Sequence, residues 1–164
     1  MNDLITLLAN VSLALSFVVA LVFGIAQVRV ANRDRRERLG LEALRNFQSR
    51  EFAELIHHIT SRDMPKSQNE FNALPTGEQI MFIQFSQQME MLGLQVAGKL
   101  LDIAVVDRTL GSFVVTSWQK YKVMFEDMRT RTSDPYLGEY FQWLAERLEA
   151  HMNDRPREPF YKKT

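Results

Sequence analysis

The chain has 164 residues, 46% of them apolar, and a formal net charge of zero; this suits one domain of ordinary size. It contains no cysteine, which excludes disulfides, thiol catalysis and cysteine-based metal sites. The neutral total hides a local excess: residues 29–50 hold seven arginines against Asp34, Glu37 and Glu42, and the rest of the chain is slightly acidic.

The first predicted element is the apolar run from Leu4 to Val28. Its polar residues are Thr6, Asn10, Ser12, Ser16 and Gln27, and none is charged. Twenty-five helical residues reach roughly 37 Å at 1.5 Å per residue. A hydrocarbon core is about 30 Å thick, so the run is long enough to cross it with some tilt. A core helix of this length in a water-soluble protein would show a charged face. A cleaved signal peptide would have a basic start and a shorter apolar stretch. The run therefore predicts a transmembrane anchor over residues 1–30.

Arg29, Arg33, Arg35, Arg36 and Arg38 follow it at once. By the positive-inside rule they predict an outward N-terminus and a cytoplasmic remainder. Near a bilayer each attracts anionic lipid by about 1 kcal/mol. No aromatic residue interleaves them, so a nucleic-acid partner is not expected. Within the anchor, Ser12, Ser16, Ala20 and Gly24 recur every four residues, a spacing that lets two membrane helices approach closely. Asn10 is placed with this set as a residue able to hydrogen-bond across such an interface. The partner expected is another membrane protein or a second copy, with chance register of small residues as the alternative.

Residues 31–48 read as a helical continuation with Leu39, Ala43, Leu44 and Phe47 as its apolar stripe. Ser49 is a candidate N-cap for a second segment, Arg50–Ile59, with Glu51 in its first turn. Residues 60–75 are polar, carry two prolines and read as a loop. Thr76 and Gln79 have capping-box spacing and open a helix to about Leu101, with Ile80, Phe82, Ile83, Phe85, Met89, Leu92, Val96 and Leu100 apolar. A further helix is predicted over Arg108–Thr130. Asp134-Pro135 signals the start of the last, which runs to about His151 with Leu137, Tyr140, Phe141, Leu144 and Leu148 inward. Residues 153–164 are expected to form an extended polar tail. No stretch alternates as a strand. The fold class expected is all-α, one transmembrane helix continuing into a cytoplasmic antiparallel bundle over residues 31–152.

Candidate chemistry is sparse. Glu54 and His57 have the Glu-x-x-His spacing of di-iron bundles, but neither His58 nor His151 supplies a second such motif. The seven glycines are scattered and form no phosphate loop. No catalytic residue, metal site or cofactor is therefore expected. Trp143 falls off the stripe of the last helix, which makes it a possible partner contact, a second buried flank being the alternative.

The N-terminal span with its arginine-rich extension, "FQSREFAEL", "MEMLGLQVAGKLLD", "LGSFVVTSWQKYK" around Trp118 and the closing "EYFQWL" together resemble a bacterial family of small membrane-anchored helical proteins catalogued as a domain of unknown function. The resemblance implies a bacterial inner-membrane protein and brings no catalytic residues with it. The expected function is a non-enzymatic adaptor or accessory subunit of a larger membrane complex. A membrane-tethered sensor or effector, of stress or phage-defence type, is the alternative.

Overall fold

The computed structural model describes residues 2–162; the side chains at positions 2–4, 8, 9, 14, 36, 37, 39, 41, 43 and 44 lie outside the described set. In chain order the helices are α1 (Asn2–Asn46), α2 (Arg50–Ser61), α3 (Gln68–Ala73), α4 (Thr76–Ala97), α5 (Ile103–Thr109), α6 (Gly111–Thr132) and α7 (Glu139–Asp154), followed by a 3-10 turn at Phe160–Lys162. Among the described residues there is no strand. The chain divides into two compact units, residues 1–38 and 39–164. The first unit thus extends past residue 30 and takes in the arginines through Arg38.

The first unit is a single stretch of α1. Every described side chain between Ile5 and Arg35 is exposed, including Leu13 at 73% and Phe17 at 70%. The apolar and arginine-rich segments join without a loop, as the absence of proline and the long side chains predict.

The second unit is a bundle. Its core joins Phe52, Leu55 and Ile59 of α2, Phe82, Phe85, Met89 and Leu92 of α4, Val114, Trp118 and Tyr121 of α6, and Phe141, Leu144 and Leu148 of α7. Helices α2 and α4 run antiparallel: His58 meets Phe82, while Phe47, just before α2, and Leu92 line one cavity. Helices α6 and α7 are antiparallel too, for Gly111 faces Met152 and Arg129 donates to the Leu137 carbonyl and to Gln142 Oε1, both at 2.7 Å. The most extensive packing is between α4 and α7. Gly93 makes it possible, because a Cβ there would collide with the Tyr140 backbone.

Several boundaries differ from the pattern-based reading. Ser49 caps α2 as expected, its Oγ accepting from Phe52 N at 3.1 Å. The 60–75 loop contains α3, capped by Ser67 and tied to α6 where Asp127 accepts from Gln68 N at 2.8 Å. The Thr76/Gln79 capping box does not form: Pro75 occupies the N-cap, and Gln79 Nε2 instead donates back to the Leu74 carbonyl at 2.8 Å. Helix α4 stops at Ala97, with Gly98 as its C-cap and Lys99 left-handed (φ 57°). Asp102 then caps a separate helix, α5, by accepting from Ala104 N at 2.8 Å.

Asp134-Pro135 opens a turn and not a helix, because Asp134 Oδ1 accepts from Tyr136 N at 3.0 Å. Helix α7 begins only after Gly138, whose φ of 73° favours glycine and whose Cα sits against the Phe125 ring. The tail is likewise not simply extended. Helix α7 continues to Asp154, and Arg157 Nε pairs with the buried Asp107 Oδ2 at 2.9 Å. Not every apolar position of the stretch from Thr76 to Leu101 is buried: Ile80, Ile83 and Leu100 are 49%, 46% and 46% exposed. The Leu39, Ala43 and Leu44 side chains of the predicted stripe lie outside the described residues, while Phe47 packs edge-on against Phe52 at 4.8 Å.

The contact at Gly93 gives a direct prediction. Gly93→Ala should destabilise the full chain by about 1–3 kcal/mol through overpacking against backbone. Gly77→Ala, on the same helix with open space around it, should be neutral or stabilising by a few tenths. Denaturant unfolding in mild detergent measures both.

Candidate functional site

Two surfaces bear on function: the exposed length of α1, and the bundle with its internal polar groups. The part of α1 that is long and apolar enough to cross a membrane lies within Ile5–Arg35, where an 18-residue window has a mean hydropathy of 2.4 and none of that window is buried. Its backbone groups are satisfied within the helix, which is what a hydrocarbon environment demands.

Ser12, Ser16, Ala20 and Gly24 are all exposed on this stretch. Each step of four residues advances only about 40° around an α-helix, so they trace one slanting ridge. A Cβ added at Gly24 would meet nothing within 4 Å, so the ridge is open. Asn10 is exposed as well, but two residues from Ser12 is about 160° of rotation on the shorter side. It therefore faces away from Ser12 and comes round only to the side of Gly24, twenty-odd ångströms along the helix by the 1.5 Å rise. It does not sit beside the ridge it was grouped with.

Arg29, Arg33, Arg35 and Arg38 are exposed, and the Arg36 side chain lies outside the described residues. Arg29 and Arg33 share one side of α1, whereas Arg35 and Arg38 project from the opposite half. The arginines encircle the helix. They form no one-sided stripe along α1.

In the bundle, the Glu54–His57 pair is not assembled into a ligand set. Both residues are exposed, and Glu54 pairs with Arg50 at 2.9 Å. His58 is turned inward against Phe82, ring centroids 5.4 Å apart, with Nε2 buried and unpartnered. Among the described residues no group of three His, Cys, Asp or Glu side chains is placed to hold a metal ion. A shallow groove of about 390 Å³ lies between α2 and α4, bordered by Glu51, Glu54, Leu55, Met81, Gln84 and Gln88. Trp143 is 36% exposed on the outer side of α7.

Several polar contacts tie elements of the bundle together. Glu90 of α4 reaches the first turn of α7, where its carboxylate oxygens accept from Tyr140 N at 3.3 Å and Phe141 N at 3.0 Å. Burial pushes the Glu90 carboxyl above the usual glutamate range, while those two N–H donors pull it back down. Asp127 is held below the ordinary range, first by the Gln68 N–H and then by Arg131. Tyr121 is pushed up by burial and its hydroxyl has no partner. Lys120 Nζ donates to the Ile59 carbonyl at 3.2 Å, near the end of α2. None of these contacts gathers a nucleophile, a base and an anion-stabilising group around one open space.

The fold and the exposed apolar helix define a class: an all-helical protein with, among the described residues, one N-terminal helix long and apolar enough to cross a membrane. The chain belongs to the family described as domain of unknown function DUF4760, whose model matches residues 14–148. The match takes in most of α1 and all the bundle helices down to Leu148. No curated protein and no solved structure matches the chain.

Glu90 is the polar residue of most consequence that the sequence pattern does not single out, since nothing local marks a helix cap supplied from another helix. Its raised pKa fixes the sign of a pH effect. The folded state binds the Glu90 proton more tightly than the unfolded chain does, so this contribution is complete below the ordinary glutamate value and is lost as pH rises through the raised one. Thermal unfolding between pH 4 and 7 should show that downward component in the natural protein and lack it in Glu90→Gln.

Proposed function

We propose that the protein is a non-enzymatic, membrane-anchored adaptor or accessory subunit of a larger membrane protein complex. The observation that carries the reading is the uncharged stretch of α1, exposed at every described side chain and followed by the arginines, on a chain that also carries a well-packed bundle. Surface of this composition is stable only against lipid or another apolar surface. We further propose that the anchor lies in a bacterial inner membrane with the bundle on the cytoplasmic side, a reading supported by the arginines at that end of the span. Anionic lipid would then meet Arg29, Arg33, Arg35, Arg36 and Arg38. Partner proteins would meet the ridge in the membrane and the bundle surface, including Trp143, outside it.

Purification of the full chain from native membranes in mild detergent tests the adaptor reading. A second protein in fixed stoichiometry is the expected result. Recovery of this chain with no other protein in fixed proportion, across several mild detergents, overturns it.

The ridge gives a sharper test. Contact between membrane helices depends on close backbone approach, because lipid already satisfies apolar side chains. Ala20→Leu or Gly24→Leu should hold the helices apart and reduce partner recovery several-fold. Val18→Leu and Val22→Leu, on other faces, should leave it unchanged. Insertion should persist in all four, since leucine favours the bilayer. Equal loss at all four positions, or loss at none, would remove the ridge from the proposal.

A further inference from the structure

The residues after α7 are held to the bundle by a buried charge. Asp107 of α5, its side chain 2% exposed, pairs through Oδ2 with Arg157 Nε at 2.9 Å. Arg157 Nη2 also donates to the Asp107 carbonyl at 2.9 Å. The other carboxylate oxygen, Oδ1, accepts no hydrogen bond, so compensation of this charge rests on Arg157. A carboxylate taken out of water is costly unless it is paired. A segment that simply trailed in solvent would need no such clasp.

The clasp holds a short turn that is both aromatic and basic. Phe160 and Tyr161 are 88% and 84% exposed, more than any other large apolar side chain among the described residues. They belong to the 3-10 turn Phe160–Lys162, where Lys162 N donates to the Pro159 carbonyl at 2.9 Å. At a rise of about 2 Å per residue, the two rings and the Lys162 ammonium leave one tight turn. Between positions 155 and 162, Arg155, Arg157 and Lys162 stand against the single acid Glu158. Aromatic rings beside basic side chains are the composition of a membrane–water interface, where rings sit at the headgroup level and cations meet anionic lipid.

The place of this turn in the bundle selects the same occupant. Leu101, which leads into α5, lies against Gly40. The chain therefore enters the bundle beside the helix that receives the clasp. Residues 29–38 separate the apolar run from the bundle, and ten residues reach at most about 35 Å. A bilayer crossed by the apolar run is thus tethered to this end of the bundle. The turn between α6 and α7 lies at the other end, roughly 30 Å away along α6. It exposes Tyr136 at 70%, a natural control of similar chemistry.

We propose that Phe160, Tyr161 and Lys162 form a second lipid contact, in which the rings seat at the headgroup level of an anionic bilayer and Lys162 meets its phosphates, while Arg157 and Asp107 strap the turn to the bundle. The proposal rests on the reading of α1 as a membrane span.

The absence of native cysteine allows a test by single labelled cysteines in the purified full chain. An environment-sensitive fluorophore is placed at Tyr161→Cys, Tyr136→Cys or Phe17→Cys. The chain is reconstituted in phosphatidylcholine vesicles, with or without phosphatidylglycerol, that carry a nitroxide-labelled lipid as quencher. With phosphatidylglycerol present, the label at 161 should be quenched several-fold more than the label at 136. Omission of phosphatidylglycerol, or Lys162→Glu, should weaken the contact about fivefold, the effect of one basic residue near an anionic surface. Phe160→Ser, and Asp107→Asn with an unchanged circular dichroism spectrum, should also reduce quenching at 161. Equal quenching at 161 and 136, indifference to both phosphatidylglycerol and Lys162→Glu, or shielding of 161 only in native membranes that contain other proteins would each overturn the proposal. The label at 17 separates the two readings. Quenching at 17 without quenching at 161 removes this contact and leaves the span, whereas no quenching at 17 removes both.

Discussion

Phe85, Tyr121 and Phe141 meet at the centre of the bundle, and the positions of α4, α6 and α7 follow from that meeting. All three are fully buried. Phe85 stacks on Tyr121 with centroids 5.4 Å apart and meets Phe141 edge-on at 6.0 Å. Phe141 also receives Trp118 edge-on at 5.2 Å. Aromatic pairs prefer these offset and edge-to-face arrangements, and each contributes beyond its buried area by roughly 0.5–1.5 kcal/mol. The close approach of α7 to α4 at Gly93 is what lets Phe141 reach between the other two rings. Glu90 then falls within reach of the first N–H groups of α7, which no residue preceding that helix caps through its side chain. One glycine therefore underlies both the apolar and the polar contact.

The sequence revealed the interior of this bundle well and its joints poorly. Phe82, Phe85, Met89, Leu92 and Val96 recur at helical spacing and are buried, as are Phe141, Leu144 and Leu148. Periodicity reports burial because a helix turns one face to its neighbours. Joints depend on local competition instead. Thr76 and Gln79 have the right spacing for a capping box, yet Pro75 sets the start of α4 and Gln79 serves the end of α3. Asp134 before a proline reads as a helix start, but its carboxylate closes a turn on Tyr136 N. In both cases the residue type was informative and the hydrogen bond it makes was decided by its surroundings. Helix α5 was hidden for a related reason: Asp102 is an ordinary N-cap, but Ile103 to Thr109 is too short for an apolar period to emerge.

The arrangement of the surface residues was partly legible. Spacing alone places Ser12 to Gly24 on one ridge and shows the arginines dense enough to surround the helix. It also led to the grouping of Asn10 with that ridge, where proximity in sequence outweighed rotation about the helix axis. The cross-helix reach of Glu90 and the pairing of Arg157 with Asp107 were not legible, since both partners are some fifty residues away. Contacts of that range become visible only when the helices are placed.

Charge spacing, more than apolar content, separates the environments of these helices. Leucine, valine and phenylalanine fill the bundle core and are equally the residues exposed along α1. In α6 and α7 charged side chains recur on the outer face, so one side of each helix suits water and the other suits the core. In α1 no charge interrupts the run between Leu4 and Val28, so no side of it suits water, and the run is as long as a bilayer is thick. Helix α4 stands between these cases. It has the packed inner face of a bundle helix, but its exposed residues are as free of charge as the apolar run of α1, over a band too narrow to embed in lipid.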